Sequence, residues 1–81
     1  MNYIVYVIKN PNSKLYIGHT NNLERRLSEH NNGQSRYTSS WPGPWILVYQ
    51  ENFDSRSKAM KREKELKTGK GREFLKQFIP G

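Results

Sequence analysis

Two short runs of strand-forming residues, Tyr3 to Ile8 and Lys14 to Thr20, do most to limit what this chain can fold into. Between them lies Lys9-Asn10-Pro11-Asn12-Ser13, whose Pro and Asn favour a turn, so the pair reads as a β-hairpin. Side chains alternate along a strand with period two. A connecting loop with an odd number of residues, such as Asn10 to Asn12, therefore puts Tyr6 and Tyr16 opposite each other on one face. Two hydroxyls then face one pocket, at positions where a core ordinarily takes apolar atoms.

The next segment, Leu23 to His30, has helical spacing with Asn21 or Asn22 as its N-cap. Leu23, Arg26, Leu27 and His30 form an i, i+3, i+4, i+7 set, so Arg26 and His30 travel with the leucines toward the core, while Arg25 and Glu29 point outward. A guanidinium aimed inward needs an anion. That anion is either a structural carboxylate or a ligand.

Asn31 to Pro44, rich in Asn, Gly, Ser and Pro, reads as a long loop carrying Arg36, Tyr37 and Trp41. Arg36 and Tyr37 are of the types that contact phosphates and stack on unpaired bases. Trp45 opens the apolar run Trp45 to Tyr49, a third strand, and is expected to pack on the sheet. A second helix starts at Ser55 and runs through Lys67, where Thr68-Gly69 stops it with Gly69 in the left-handed C-terminal position. Ala59, Glu63 and Leu66 share its inner face. Gly71 to Ile79 reads as a short helix that packs Phe74, Leu75 and Phe78 onto the core. The result is an α+β fold, a small three-stranded antiparallel sheet flanked by two to three helices.

Eighty-one residues give room for one small domain, residues 1–81. Fourteen Lys and Arg against seven Asp and Glu leave a formal charge of +7, which makes nucleic acid the default partner. Zero cysteines exclude disulfides, zinc-thiolate sites and iron-sulfur clusters. No apolar run reaches the length of a signal peptide core or a membrane span, so a cytoplasmic protein is expected. The basic residues Lys61, Lys64, Lys67, Lys70 and Arg72 suit contact with backbone phosphates. Gly69-Lys70-Gly71-Arg72 lacks the spacing of a phosphate-binding loop, and His19, His30 and Glu63 follow no standard zinc spacing.

The strings Ile4-Val5-Tyr6, Tyr16-Ile17-Gly18, Leu23 to Asn31 and Ala59 to Lys67 together resemble the GIY-YIG endonucleases, most closely small single-domain, stand-alone bacterial members. The resemblance spans Tyr3 to Phe78 and departs at Ile4, where the family name has Gly. It implies hydrolysis of DNA phosphodiesters, with RNA as a further candidate, in repair or recombination. It also implies that Tyr6 accepts a proton from the attacking water, that Arg26 holds the phosphoryl oxygens, and that Glu63 binds one Mg²⁺ or Mn²⁺ ion. Tyr16 and His30 complete the pocket, and His19 stands where some members carry a cation. A phenol with an ordinary pKa near 10 is a poor base at neutral pH, so Tyr6 needs its phenolate favoured by Arg26 or the metal. Two alternatives stand beside this: Glu63 as the structural partner of Arg26, and a non-catalytic basic module that retains the fold. A protein partner supplying specificity is a further expectation.

Overall fold

The computed structural model describes residues 2–36 and 38–79. Strands β1 (Tyr3–Lys9), β2 (Leu15–Thr20) and β3 (Ile46–Phe53) form one antiparallel sheet in the order β2-β1-β3. Helix α1 (Leu23–Asn31) follows β2, a 3₁₀ turn (Thr38–Ser40) precedes β3, and helices α2 (Arg56–Leu66) and α3 (Gly69–Lys76) close the chain. This is the α+β arrangement expected, with three helices.

The hairpin differs in one respect that matters to the site. Its turn has five residues rather than three, so Tyr6 pairs with Gly18 and Tyr16 with Ile8. The two phenols share a face but stand diagonally. Asn10 sets this length: its side-chain carbonyl accepts from the N–H of Asn12 at 3.0 Å and of Lys14 at 2.8 Å, while its backbone N–H reaches Lys14 O at 3.0 Å. Ser13 takes a left-handed conformation, φ 65°, to close the loop.

Each helix begins on a side-chain acceptor that satisfies an orphan N–H. Asn22 accepts from Arg25, Ser55 from Lys58 and Thr68 from Gly71. The last of these corrects the expectation for Gly69. Lys67 ends α2 in right-handed geometry and Gly69 is the first residue of α3, because the Thr68 hydroxyl also donates to Glu65 O at 2.6 Å and ties the two helices together. Gly71 is the glycine this junction requires. A Cβ there would lie 2.2 Å from Glu65 O and 2.4 Å from Leu66 Cα.

The sheet is covered on both faces. One carries Val5, Val7 and Ile17 under Ala59, Leu66, Leu75 and Ile79 from α2 and the C-terminal segment. The other carries Tyr6 and Ile8 with Trp45, bordered by Ile4, Tyr16, Leu23 and Leu27. Trp45 packs as expected but precedes β3, clamped by Asn31: its N–H donates to Asn31 Oδ1 at 2.7 Å, and its carbonyl accepts from Asn31 Nδ2 at 3.0 Å. Phe78 does not join the core. It is 51% exposed and lies against Tyr49 and Phe74 at the surface.

Candidate active site

Strand pairing and the helical stripe of α1 bring Tyr6, Tyr16, Arg26 and His30 together. Tyr6 Oη lies 2.8 Å from His30 Nε2, and the Tyr16 ring meets the His30 ring edge-on at 4.8 Å between centroids. The two tyrosine rings are 6.2 Å apart. Gly18 makes room for them, since a Cβ there would fall 2.7 Å from Tyr6 Oη. Arg26 reaches the hydroxyls of both tyrosines and donates to Glu29 Oε1 at 3.0 Å. Glu29 is therefore half-buried beside the site rather than pointing outward, because its carboxylate balances the guanidinium. Arg26 has its structural carboxylate within its own helix, and that carboxylate is Glu29 rather than Glu63.

His30 is fully buried, and its Nδ1 lies 2.8 Å from Thr38 Oγ1, which the 3₁₀ turn carries in from the long loop. Arginine can only donate to Tyr6 Oη, which leaves the phenol its own proton to give to Nε2. With the phenol proton given to Nε2, the ring is the tautomer with hydrogen on Nδ1, donated to Thr38, and the opposite tautomer reverses both bonds. Burial, reinforced by the Arg26 charge, lowers the His30 pKa to about 4, so the ring is neutral at pH 7. Burial also pushes the Tyr6 phenol well above its ordinary range. Tyr16 adds to that, and Arg26 only partly offsets it. Arg26 alone thus does not favour a standing phenolate, because desolvation outweighs its charge.

His19 and Glu63 meet on the opposite face of the sheet, as period two dictates for a residue paired with Val5. His19 Nδ1 lies 2.6 Å from Glu63 Oε1, and Lys67 Nζ donates to Oε2 at 2.7 Å. Burial opposes the Glu63 charge, but the bonds from Lys67 and His19 outweigh it and hold the carboxyl below its usual range. No trio of His, Cys, Asp and Glu is arranged to hold a metal ion among the described residues. The donor set fits a Mg²⁺-like ion in one way only, with Glu63 as its single protein carboxylate and water or phosphate completing the shell.

Among the remaining basic candidates, Arg36, Lys61, Lys64 and Lys70 are exposed. Tyr37 lies outside the described residues. Lys67 is engaged by Glu63, and Arg72 faces a groove with Lys76 rather than extending a stripe along α2. Arg62, also on α2, is taken up by the fold, forking onto Glu51 at 2.9 and 3.1 Å. Sequence reasoning missed Thr38, which sits eight residues past His30 in a loop with no periodic signal, and Glu29, which an ideal helical wheel places outside.

A hairpin bearing two tyrosines, an arginine helix packed on it and a glutamate helix behind it define a nuclease fold of one class. The family model for the GIY-YIG catalytic domain matches residues 2–76, and the chain belongs to the GIY-YIG nuclease family. It is similar to a UPF0213 protein of Staphylococcus saprophyticus, 39% identical over 98% of this chain and 96% of that one. A UPF0213 protein of Staphylococcus haemolyticus is 42% identical over 94% and 93%. The solution NMR structure of a UPF0213 protein from Bacillus halodurans superposes with a TM-score of 0.59 at 30% identity, covering all of this chain and 88% of that one. No helix among the described residues is long and apolar enough to cross a membrane.

Proposed function

We propose that this chain is a cytoplasmic, metal-dependent endonuclease that hydrolyses DNA phosphodiester bonds in repair or recombination, its residues 1–81 acting as one nuclease domain. The observation that carries this reading is the convergence of Tyr6, Tyr16, Arg26 and His30 around Gly18, a position without a side chain. Arg26 binds and orients the scissile phosphate, donating to oxygens whose charge grows in the transition state. Tyr6 takes the proton of the attacking water as it passes its own to His30 Nε2. No free phenolate is required, because the neutral imidazole supplies the acceptor. Tyr16 positions the phosphate beside the His30 ring, and His19 orients the Glu63 carboxylate. When bound through Glu63, one Mg²⁺ or Mn²⁺ ion supplies Lewis-acid stabilisation of the phosphoryl and leaving oxygens. Glu63 would hold such an ion on the carboxylate that Lys67, half-exposed, now shares with His19. Exposed Lys61, Lys64, Lys70 and Arg36, with Tyr37 and Arg72, hold the backbone.

A non-catalytic nucleic-acid-binding module is the second reading. It is favoured by one observation: both Glu63 oxygens are already engaged by His19 and Lys67. The two separate in an assay of wild type, Glu63→Ala and Arg26→Ala on supercoiled plasmid, branched DNA and an RNA hairpin with Mg²⁺, Mn²⁺ or EDTA. Product from the wild type alone, abolished by EDTA, supports the nuclease. Salt-sensitive binding with no product, also after addition of a cell extract to supply a protein partner, supports the module.

A further inference from the structure

A groove of about 590 Å³ runs between the β1–β2 turn, the open edge of β2 and α3. Its size is that of sites which enclose a small organic group. Lys9, Lys14, Lys67, Arg72 and Lys76 line it, and no carboxylate does. Arg72 and Lys76 have no ion-pair partner among the described residues. The floor is apolar, made by Leu15, Ile17, Leu75 and Ile79. Beside it Trp41 is 38% exposed, with Lys14 Nζ 4.8 Å above the ring centroid. Tyr16 lines the groove and also touches His30, and Lys67 lines it and holds Glu63, so the groove is continuous with the candidate active site.

We propose that this groove holds an unpaired strand of the nucleic-acid substrate, with phosphates on the cationic rim and a splayed base on the apolar floor or the Trp41 ring. The proposal rests on the nuclease reading for its polyanion. A duplex offers phosphates but keeps its bases stacked inside, where an apolar floor gains nothing. A single strand offers charge and an apolar π-face together, the combination that cationic grooves with aromatic platforms take. The substrate favoured is then one with a single-stranded segment next to the cut.

The test is binding in EDTA, which does not depend on turnover. Fluorescence anisotropy is measured with a single-stranded oligonucleotide, a blunt duplex and a duplex with a single-stranded tail, for wild type, Arg72→Glu/Lys76→Glu and Trp41→Leu. For the single strand, the slope of log affinity against log salt is expected to fall by about 0.7 for each phosphate contact removed by the charge reversals. Single-strand affinity should drop at least tenfold more than blunt-duplex affinity, which loses only the general part of the four-unit change in charge. Single-strand binding should quench tryptophan emission in the wild type, and the quench should disappear in Trp41→Leu. Equal losses for single strand and duplex would overturn the proposal, as would an unchanged salt slope, or displacement of the oligonucleotide by stoichiometric mononucleotide. Binding without cleavage sinks only the nuclease reading; cleavage without these groove effects sinks only this one.

Discussion

The two faces of the sheet are built from the same strands and differ in what they bury. Under α2 and α3 the contacts are apolar, with Val5, Val7, Ile17, Ala59, Leu66 and Leu75 at or below 9% exposure. Under α1 the buried set includes a phenol, an imidazole and a threonine hydroxyl, joined as Tyr6–His30–Thr38. Such a polar chain contributes little net stability when complete and costs much when one member is removed. Apart from the His19–Glu63 pair, the first face holds the fold and the second is free to act, which leads to unequal responses to mutation.

The largest expected effect is on the apolar face. Leu66→Ala should cost about 2–5 kcal/mol of stability, measured by urea unfolding, with cleavage falling only as the folded fraction falls. Next, Arg26→Ala should lower cleavage by roughly 10²–10³ while the urea midpoint moves less than in Leu66→Ala, since Arg26 is partly exposed and its carboxylate partner lies within the same helix. If both variants lose stability and activity in the same proportion, the division of labour between the faces is wrong.

A pH series sharpens the contrast. His30 has its pKa lowered to about 4 in the folded state, against an ordinary value near 6.5. The unfolded chain therefore takes up a proton first, and stability is lost as pH falls from about 6.5 toward 4, by about 3 kcal/mol in total. Glu63, with its carboxyl lowered, adds its own loss only below its ordinary value near 4.5. The interval between about 6.5 and 4.5 thus reports His30, and His30→Gln should flatten it in chemical denaturation at each pH. The smallest effect is that of Thr38→Val, about 1–3 kcal/mol for leaving the buried Nδ1–H unpaired. It should be accompanied by an upfield shift or loss of the protected imidazole proton in NMR.

Much of this arrangement is legible in the sequence, for identifiable reasons. The period-two runs place Tyr6 and Tyr16 on one face, and the 3.6-residue stripe places His30 against them, because both periodicities are local properties of the backbone. Capping residues mark Asn22 and Ser55 for the same reason. The diagonal offset of the tyrosines is not legible from the strands, since it depends on how Asn10 folds the turn. Gly69 misleads because glycine is equally at home after one helix and at the start of the next, and the Thr68 hydroxyl decides between them. Thr38 and the groove cations come from segments far apart in the chain, so only the tertiary structure brings them together. The desolvation of Tyr6 likewise depends on everything packed around it.

Asn10 has a consequence beyond closing a turn. With the turn length kept, a chain that gained one residue between Asn10 and Lys14 would present Leu15 and Ile17 where Tyr16 and Gly18 now stand, and one that lost a residue would present Ile17 and His19. The phenols, the open space at Gly18 and the reach of His19 to Glu63 are all indexed from that one amide. The reactive end of the hairpin is therefore addressed from its quiet end, and its spacing can be retuned by residues that never approach the phosphate.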